Sequence, residues 1–92
     1  MEKLAEFRIK LNQLDEQLIG ILGERYGLIR EIGDYKKVEN IPMMQSKRVD
    51  EVKDRCAALG DKVGLDGDFV RNLYTLIIDE ACRIEDTIID EL

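Results

Sequence analysis

The sequence contains no histidine and no tryptophan, and only one proline and two cysteines occur among its 92 residues. No serine or cysteine stands beside a candidate base, no group of residues has metal-ligand spacing, and no glycine-rich phosphate loop is present. Nucleophilic and metal-dependent catalysis are therefore poorly supported. We expect no metal and no other cofactor.

Positive charge is also scarce, since 14 Lys and Arg face 20 Asp and Glu for a formal net charge of −6. A nucleic-acid-binding protein would present a basic face, so we expect no nucleic-acid partner. No apolar run approaches membrane length and no leader-like segment follows Met1, so we expect no membrane partner. Cys56 and Cys82 fall within helical patterns, and we interpret them as reduced, core-packing thiols of a cytoplasmic protein.

One long amphipathic pattern dominates the N-terminal part of the chain. From Lys3 to about Val38, apolar residues recur every three or four positions, which predicts one uninterrupted helix with a buried stripe. The stripe consists of Leu4, Phe7, Leu11, Leu14, Leu18, Ile21, Leu28, Ile32 and Tyr35. Its gap is filled by Arg25, whose guanidinium must meet an anion or lose its hydration without compensation. Lys36 lies nearly on the same face, so the two cations line one wall.

This helix is too long for a compact monomer. At about 1.5 Å per residue it extends roughly 50 Å, whereas residues 1–92 folded as one globular domain are about 30 Å across. We therefore expect a second copy of the chain to lie antiparallel along the stripe as a homodimer. Arg8 stands roughly 25 Å before Arg25 and cannot reach the same ligand within one chain. An antiparallel partner can bring its Arg8 close to Arg25 and Lys36.

Two further helices complete the predicted fold. The first helix should end near Asn40, because Pro42 disfavours helix at the residue before it. A second helix should begin near Ser46 as N-cap and end at Gly64. A third should begin with Asp66 as N-cap and run to the C-terminus. Because no strand pattern is present, the predicted fold class is all-α, a three-helix protomer with a long N-terminal helix.

Four glycines fall within the first helix, although each costs about 1 kcal/mol relative to alanine in a helix interior. They are Gly20, Gly23, Gly27 and Gly33. Either all four are simply tolerated, or the first three let another helix or a ligand come close to the backbone. The sequence leaves both interpretations open.

Arg48 lies in the first turn of the predicted second helix. Backbone N–H groups at a helix N-terminus favour an anion, and a guanidinium adds a fork that grips a carboxylate with two hydrogen bonds. The alternative is an ordinary solvated surface arginine, which position alone favours.

Glu85 interrupts an apolar stripe of the predicted third helix, between Cys82 and Ile89. Partial desolvation of its carboxylate favours the protonated form unless a cation such as Lys36 pairs with it. A salt-bridged glutamate without a functional role is an equally good interpretation.

Cations spread along helices suit one kind of chemistry. They can grip the carboxylates of a small dianion, fold it into a reactive conformer and stabilise charge that develops only in the transition state. We therefore expect a small dianionic ligand, held by a local cluster of cations in an otherwise acidic protein.

The same residues resemble the all-helical chorismate mutases over essentially the whole chain. The shared features are the cations Arg8, Arg25, Lys36 and Arg48, the L-x-x-L-D-x-x-L run over residues 11–18, the Glu24-Arg25 pair, and the L-D-x-x-F-V start of the third helix. The resemblance implies an intertwined homodimer of three-helix protomers. It also implies a Claisen rearrangement of chorismate to prephenate, without cofactor or covalent intermediate.

The resemblance further implies a role for each cation. Arg8 would reach in from the partner chain and hold the substrate carboxylates together with Arg25 and Arg48. Lys36 would donate to the ether oxygen as its bond to carbon breaks, with Arg25 and Lys36 both counted among the catalytic residues.

Two positions on the third helix also carry over. Glu85 falls where the family usually has a glutamine that donates to the same ether oxygen, and Ala81 falls among the substrate-binding positions. Only a neutral Glu85 can donate, so the resemblance predicts either a protonated carboxyl or tight coupling to Lys36.

Two substrate-binding positions depart from the ordinary family pattern. Val49 replaces a glutamate that binds the ring 4-hydroxyl of the substrate, and Gln45 replaces an acidic residue. A buried hydroxyl that faces valine loses a partner, at a cost of about 1 to 3 kcal/mol. Chorismate is therefore not expected to be the best substrate.

Three further strings resemble a narrower branch, the 4-amino-4-deoxychorismate mutases of secondary metabolism. They are residues 42–45, residues 48–49 together with 52–55, and residues 82–86. This resemblance implies rearrangement of 4-amino-4-deoxychorismate to 4-amino-4-deoxyprephenate, on the way to products derived from 4-aminophenylalanine, among them antibiotics. The side-chain oxygen of Gln45 is the candidate partner of the substrate amine.

Three alternatives accompany this interpretation. The chain can be an ordinary chorismate mutase, or an isochorismate pyruvate-lyase, since those lyases also carry an apolar residue after the second-helix arginine. From a different class, it can be a non-catalytic helical dimerisation module in which Arg25 and Lys36 merely pair with Glu85 and Asp15. A module should tolerate Arg25→Ala, whereas an enzyme should lose its turnover.

Overall fold

The structure is a computed structural model that describes residues 2–43 and 45–90, and within them it contains three helices and no strand. Helix α1 spans Glu2–Glu39, α2 spans Ser46–Asp61 and α3 spans Gly67–Asp90. Both α1 and α2 pack against α3. The all-α class and the long first helix predicted from the sequence are confirmed.

The end of α1 is set by a left-handed residue. Asn40 has φ 61°, and the backbone N–H of Ile41 donates to the carbonyl oxygen of Lys36 at 2.9 Å. This is a Schellman cap, in which asparagine tolerates the left-handed conformation better than most residues do. The predicted stop near Asn40 is confirmed, and the chain turns sharply just after Lys36.

The start of α2 differs by one residue from the prediction. Gln45 occupies the N-cap position with an extended backbone (φ −122°, ψ 98°), and Ser46 is the first helical residue. The carbonyl oxygen of Gln45 accepts the N–H groups of Arg48 and Val49 at 2.9 and 3.2 Å. The predicted N-cap role of Ser46 is therefore wrong, because the extended conformation that a cap requires falls on the preceding residue.

The second helix, α2, ends at a glycine in the left-handed conformation, as helices commonly do. The regular helix ends at Asp61, and a tightened turn continues to Gly64, which has φ 82°. The N–H of Leu65 closes the turn on the carbonyl oxygen of Gly60 at 2.9 Å. Gly64 is the predicted stop, and Val63, which lies in the turn, is exposed.

The start of α3 matches the prediction. The side chain of Asp66 accepts the backbone N–H of Phe69 at 3.0 Å, which confirms Asp66 as the N-cap. From there α3 forms the centre of the molecule, and its buried residues are Val70, Ile77, Ala81, Ile84 and Glu85. Val52 and Cys56 of α2 pack against Val70 to form the small core.

Helix α1 overhangs the rest of the molecule. The chain measures 56 × 26 × 14 Å with a radius of gyration of 16.7 Å, against about 12 Å for a compact chain of this length. Seven residues of the predicted stripe are 42–60% exposed: Leu4, Phe7, Leu11, Leu14, Leu18, Ile21 and Leu28. The overhang is confirmed, and the stripe is left uncovered within one chain.

Across the described residues, none of the helices combines the length and the apolar character that a membrane crossing requires.

Candidate functional site

A cavity of about 320 Å³ opens between the C-terminal half of α1, the start of α2 and the C-terminal half of α3. Its walls carry cationic and apolar side chains together. They are Arg25, Ile29, Ile32, Lys36, Met43, Gln45, Arg48, Val49, Val52, Ile78, Ala81, Cys82 and Glu85. The structure thus brings together seven of the eight residues predicted as site residues.

Arg25 supplies an unpaired cation to this cavity. Its Nη1 is buried and has no hydrogen-bond partner among the described residues. Its guanidinium carbon lies 5.8 Å from the centre of the Tyr74 ring, so the aromatic face supports one side of the group. A buried guanidinium nitrogen without a partner is costly, so an anionic ligand in the cavity would be stabilised by it.

Lys36 is held at the opposite end of the same wall by two contacts. Its Nζ donates a hydrogen bond to the carbonyl oxygen of Met43 at 2.8 Å. It also forms an ion pair with Oε1 of Glu85 at 2.8 Å. The Schellman turn after α1 makes the first contact possible, because it folds the chain back over Lys36.

Glu85 is almost completely enclosed, with 7% of its side chain exposed against 17% for Lys36. The pairing is a charge contact rather than a well-formed hydrogen bond, since Oε1 has no hydrogen-bond partner in the described part of the chain. The structure thus pairs Glu85 with Lys36, the cation that the sequence offered as its partner. Protonation of the Glu85 carboxyl stays a prediction.

The start of α2 supplies a third cation and the residues that depart from the family pattern. Arg48 is exposed overall, and it lines the cavity. Gln45 and Val49 line the cavity beside it. A substrate group that faces Val49 meets an apolar surface with no polar atom to bind.

Two small residues of α3 complete the wall. Ala81 is buried and lines the cavity one turn before Glu85, as the resemblance implied. Cys82 also lines the cavity, so its interpretation as a core-packing thiol is wrong, while Cys56 is buried in the core as predicted. Both thiols are free. Burial, with a smaller contribution from Glu85, raises the pKa of the Cys82 thiol, which keeps it protonated at neutral pH.

Arg8 is the one predicted site residue that the structure does not bring to the cavity. It lies on the exposed N-terminal half of α1, seventeen residues or roughly 25 Å before Arg25. Its contribution across a dimer interface stays a prediction.

Sequence reasoning missed several lining residues for identifiable reasons. Met43 acts through its backbone carbonyl, which every residue type has, so no sequence signal could have pointed to it. Cys82 could have been found, because it lies three residues before Glu85 and therefore on the same side of α3. Val52 and Ile78 are apolar residues of α2 and α3, and an apolar side chain does not by itself tell a core position from a cavity wall.

The arrangement suits binding of a small, doubly charged anion against an apolar wall. Arg25, Arg48 and Lys36 approach the cavity from two helices, and Glu85 faces Lys36 from the third. Lys36 and Glu85 are held by each other and by the Met43 carbonyl, so Lys36 can stabilise developing charge with little reorganisation.

Comparison with known proteins connects this geometry to a family. The family profile described as Chorismate mutase type II matches residues 7–86, which includes every predicted site residue.

Individual relatives are similar along most of the chain. It is 42% identical over 86 residues to a 4-amino-4-deoxychorismate mutase of Streptomyces venezuelae, with 94% of this chain and 84% of that protein covered. It is 35% identical to a 4-amino-4-deoxychorismate mutase of Streptomyces pristinaespiralis, with 92% of this chain and 66% of that protein covered. A bifunctional chorismate mutase/prephenate dehydratase of Escherichia coli is 28% identical over 88 residues, and the chain spans 23% of its length.

Proposed function

This chain belongs to the type II chorismate mutase family, and we propose that it is an isomerase that rearranges 4-amino-4-deoxychorismate to 4-amino-4-deoxyprephenate. The observation that carries the proposal is the cavity whose wall combines the buried, unpaired Nη1 of Arg25, the Lys36–Glu85 pair and the apolar Val49. The two relatives named for the amino substrate support the choice of substrate.

Binding relies on three arginines in this proposal. Arg25 and Arg48 of one protomer hold the two carboxylates of the substrate, and Arg8 of a second copy joins them. The apolar stripe of α1, exposed over its N-terminal half, supports an antiparallel homodimer that covers it. Clamping both carboxylates brings the two carbon atoms that must bond into contact.

Catalysis then consists of stabilising charge on one oxygen. In the rearrangement the ether carbon–oxygen bond breaks while a new carbon–carbon bond forms, and no atom leaves the molecule. Negative charge grows on the ether oxygen, where Nζ of Lys36 donates a hydrogen bond and a protonated Glu85 donates a second. The carbonyl of Met43 fixes the direction of the Lys36 ammonium group.

Selection of the amino substrate depends on the start of α2. Val49 offers no partner to a ring hydroxyl, and the side-chain oxygen of Gln45 is the acceptor that we assign to the ring ammonium group. Gln45→Leu should therefore lower the preference for the amino substrate over chorismate. An unchanged preference in that variant would rule out Gln45 as the selecting residue.

The decisive experiment is a parallel turnover assay with 4-amino-4-deoxychorismate, chorismate and isochorismate, with products identified by mass. We expect the largest kcat/KM for the amino substrate. A larger value for chorismate would make the protein an ordinary chorismate mutase, and release of pyruvate from isochorismate would make it a lyase.

A matched pair of arginine variants separates an enzyme from a structural module. Arg25→Ala should lower kcat/KM by at least about a hundredfold, because it removes a charged carboxylate contact. Arg71→Ala is the control, since Arg71 pairs with Asp54 on the surface and lies outside the cavity. Equal, small effects of both variants would favour the non-catalytic module.

A cytoplasmic location also stays a prediction, supported by the two free thiols.

A further inference from the structure

Helices α1 and α3 approach each other closely at Gly33, the one buried residue among the described residues of α1. A Cβ atom added to Gly33 would lie 3.1 Å from Cδ1 of Ile88, 3.5 Å from Cγ of Glu85 and 3.6 Å from Cα of Glu85. The missing side chain therefore lets the backbone of α1 touch the stem of Glu85. Gly20, Gly23 and Gly27, for which the sequence left a close approach open, have no atom within 4 Å of an added Cβ in the described chain.

This contact lies one helical turn from the ion pair of the cavity. Gly33 precedes Lys36 by three residues, so both face α3 from the same side of α1. Glu85 meets both of them, with its stem against Gly33 and its Oε1 at 2.8 Å from Nζ of Lys36. Any change in the separation of α1 and α3 at Gly33 is transmitted directly to that distance.

We propose that Gly33 is a positioning residue, whose lack of a side chain sets the separation of α1 and α3 at which Glu85 meets Lys36. The proposal rests on the proposed function, in which both groups act on the ether oxygen of the substrate. Gly33 itself touches no substrate and acts only through Glu85.

Stability and positioning can be separated at this residue. The tightest neighbour of an added Cβ is Cδ1 of Ile88, the far end of a flexible side chain, so the fold can accommodate alanine by a small shift. Alanine also has a higher helix propensity than glycine, which offsets the strain of the tight contact with Ile88. Valine branches at Cβ and places a methyl group against the stem of Glu85, so it demands a larger displacement.

The test measures kcat and KM for Gly33→Ala and Gly33→Val alongside thermal unfolding. We expect kcat to fall about tenfold with alanine and about a hundredfold with valine, since small misplacements of catalytic groups are costly. KM should change much less, because the arginines that hold the substrate are not displaced. Adding Ile88→Val to Gly33→Ala removes Cδ1 of Ile88 and should restore most of kcat.

Two glycines outside the cavity serve as controls. A Cβ at Gly60 would lie 2.8 Å from Cγ2 of Val70, a tighter contact than at Gly33, so Gly60→Ala should lower the melting temperature and leave kcat unchanged. Gly67 has no atom within 4 Å of an added Cβ, so Gly67→Ala should change neither quantity.

The proposal is overturned if Gly33→Ala lowers only the melting temperature, or if Ile88→Val does not restore kcat. If the wild-type protein turns over none of the three substrates, the proposed function fails and Gly33 is tested by crystallography of Gly33→Val. A Lys36 to Glu85 distance well above the wild-type value then supports a positioning role. A distance unchanged from 2.8 Å overturns it.

Discussion

At the scale of single residues, the buried pair of Lys36 and Glu85 concentrates the chemistry of this protein. Taking two charges out of water costs several kcal/mol, and removing one partner of such a pair costs about 3 to 5 kcal/mol because the other charge is left uncompensated. The pair therefore contributes little net free energy to the stability of a small helical protein. Its placement on the cavity wall, with 2.8 Å between Nζ and Oε1, fits a role in binding and turnover.

Hydrogen-bond donation from position 85 gives the first prediction. The groups that face the Glu85 carboxyl are Lys36 on α1 and Cys82 on α3, and Arg48 of α2 lines the same cavity. A carboxylate only accepts hydrogen bonds, whereas the amide of glutamine always offers a donor. Glu85→Gln should therefore keep or raise kcat, because its amide can donate to the ether oxygen.

Glu85→Ala has no donor and should lower kcat by about a hundredfold. Glu80→Gln, on the exposed side of α3 where Glu80 pairs with Arg83, is the control and should keep the wild-type kcat. A loss of kcat in Glu85→Gln as large as that in Glu85→Ala would contradict donation from position 85.

Cys82 gives a second prediction at this scale. Burial raises the pKa of its thiol, so the folded protein holds the thiol proton more tightly than the unfolded chain does. The reactive thiolate is therefore scarce at neutral pH, and its fraction rises only at higher pH than for an ordinary cysteine.

Alkylation of Cys82 by iodoacetamide, followed by mass spectrometry of the Cys82 peptide, measures this directly. The rate in the folded protein should be lower at pH 8 than in urea-unfolded protein and should increase steeply with pH. Rapid modification of the folded protein at neutral pH would show that the thiol is not shielded. Cys82→Ala identifies the peptide that carries the label.

At the scale of elements, α1 has an apolar stripe that no described residue of the same chain covers. Its C-terminal half packs on α3, but the apolar stripe along its N-terminal half is exposed. A continuous apolar stripe of this length on a small protein marks an interaction surface. A second α1 in antiparallel orientation presents the same stripe, so each copy can cover the other.

Leu14→Glu tests this arrangement. Burial of a leucine contributes about 1.5 to 3 kcal/mol, and a symmetric dimer loses that contribution twice. The dissociation constant of the dimer should therefore rise at least about a hundredfold. Ile19→Glu is the matched control, because Ile19 is 66% exposed on α1 and lies well off the stripe. Sedimentation should show a monomer for Leu14→Glu and a dimer for Ile19→Glu. Monomers in both, or dimers in both, would contradict the stripe as the interface.

At the scale of the whole molecule, the site is expected to be shared between two chains. The cavity of one chain contains Arg25 and Arg48 but lacks Arg8. If Arg8 comes from the partner, each dimer has two sites and each site draws on both protomers. Catalysis is then a property of the dimer rather than of the folded chain alone.

Complementation between inactive variants tests a shared site. Arg8→Ala and Arg25→Ala should each lose activity as pure homodimers. In a refolded equal mixture, about half of the dimers are mixed and each has one intact site, so about a quarter of all sites should recover. Turnover of the refolded mixture measures this fraction.

Arg25→Ala mixed with Arg48→Ala is the control for this experiment. Both residues line the same cavity of the same chain. In a mixed dimer each cavity therefore lacks one of the two arginines, and no activity should return. Recovery in both mixtures, or in neither, would contradict contribution of Arg8 across the interface.

The sequence by itself determined the helices and most of the cavity wall. Local rules account for this: the three-four spacing of apolar residues defined α1, and helix stops at Asn40 and Gly64 and the cap at Asp66 depend on residues a few positions apart. The cations Arg25, Lys36 and Arg48 were identifiable because charge on an apolar stripe or at a helix start needs a partner. The family resemblance then connected them to one reaction.

The tertiary structure decided where α3 crosses α1, and with it the details of the site. The pairing of Glu85 with Lys36, the place of Cys82 on the cavity wall and the contact of Gly33 with α3 all join residues about fifty positions apart. Such contacts depend on the packing angle and register of whole helices, which many side chains set together and no local pattern encodes. The carbonyl of Met43 reaches Lys36 through the local turn of the backbone after α1, which depends on no particular side chain at position 43.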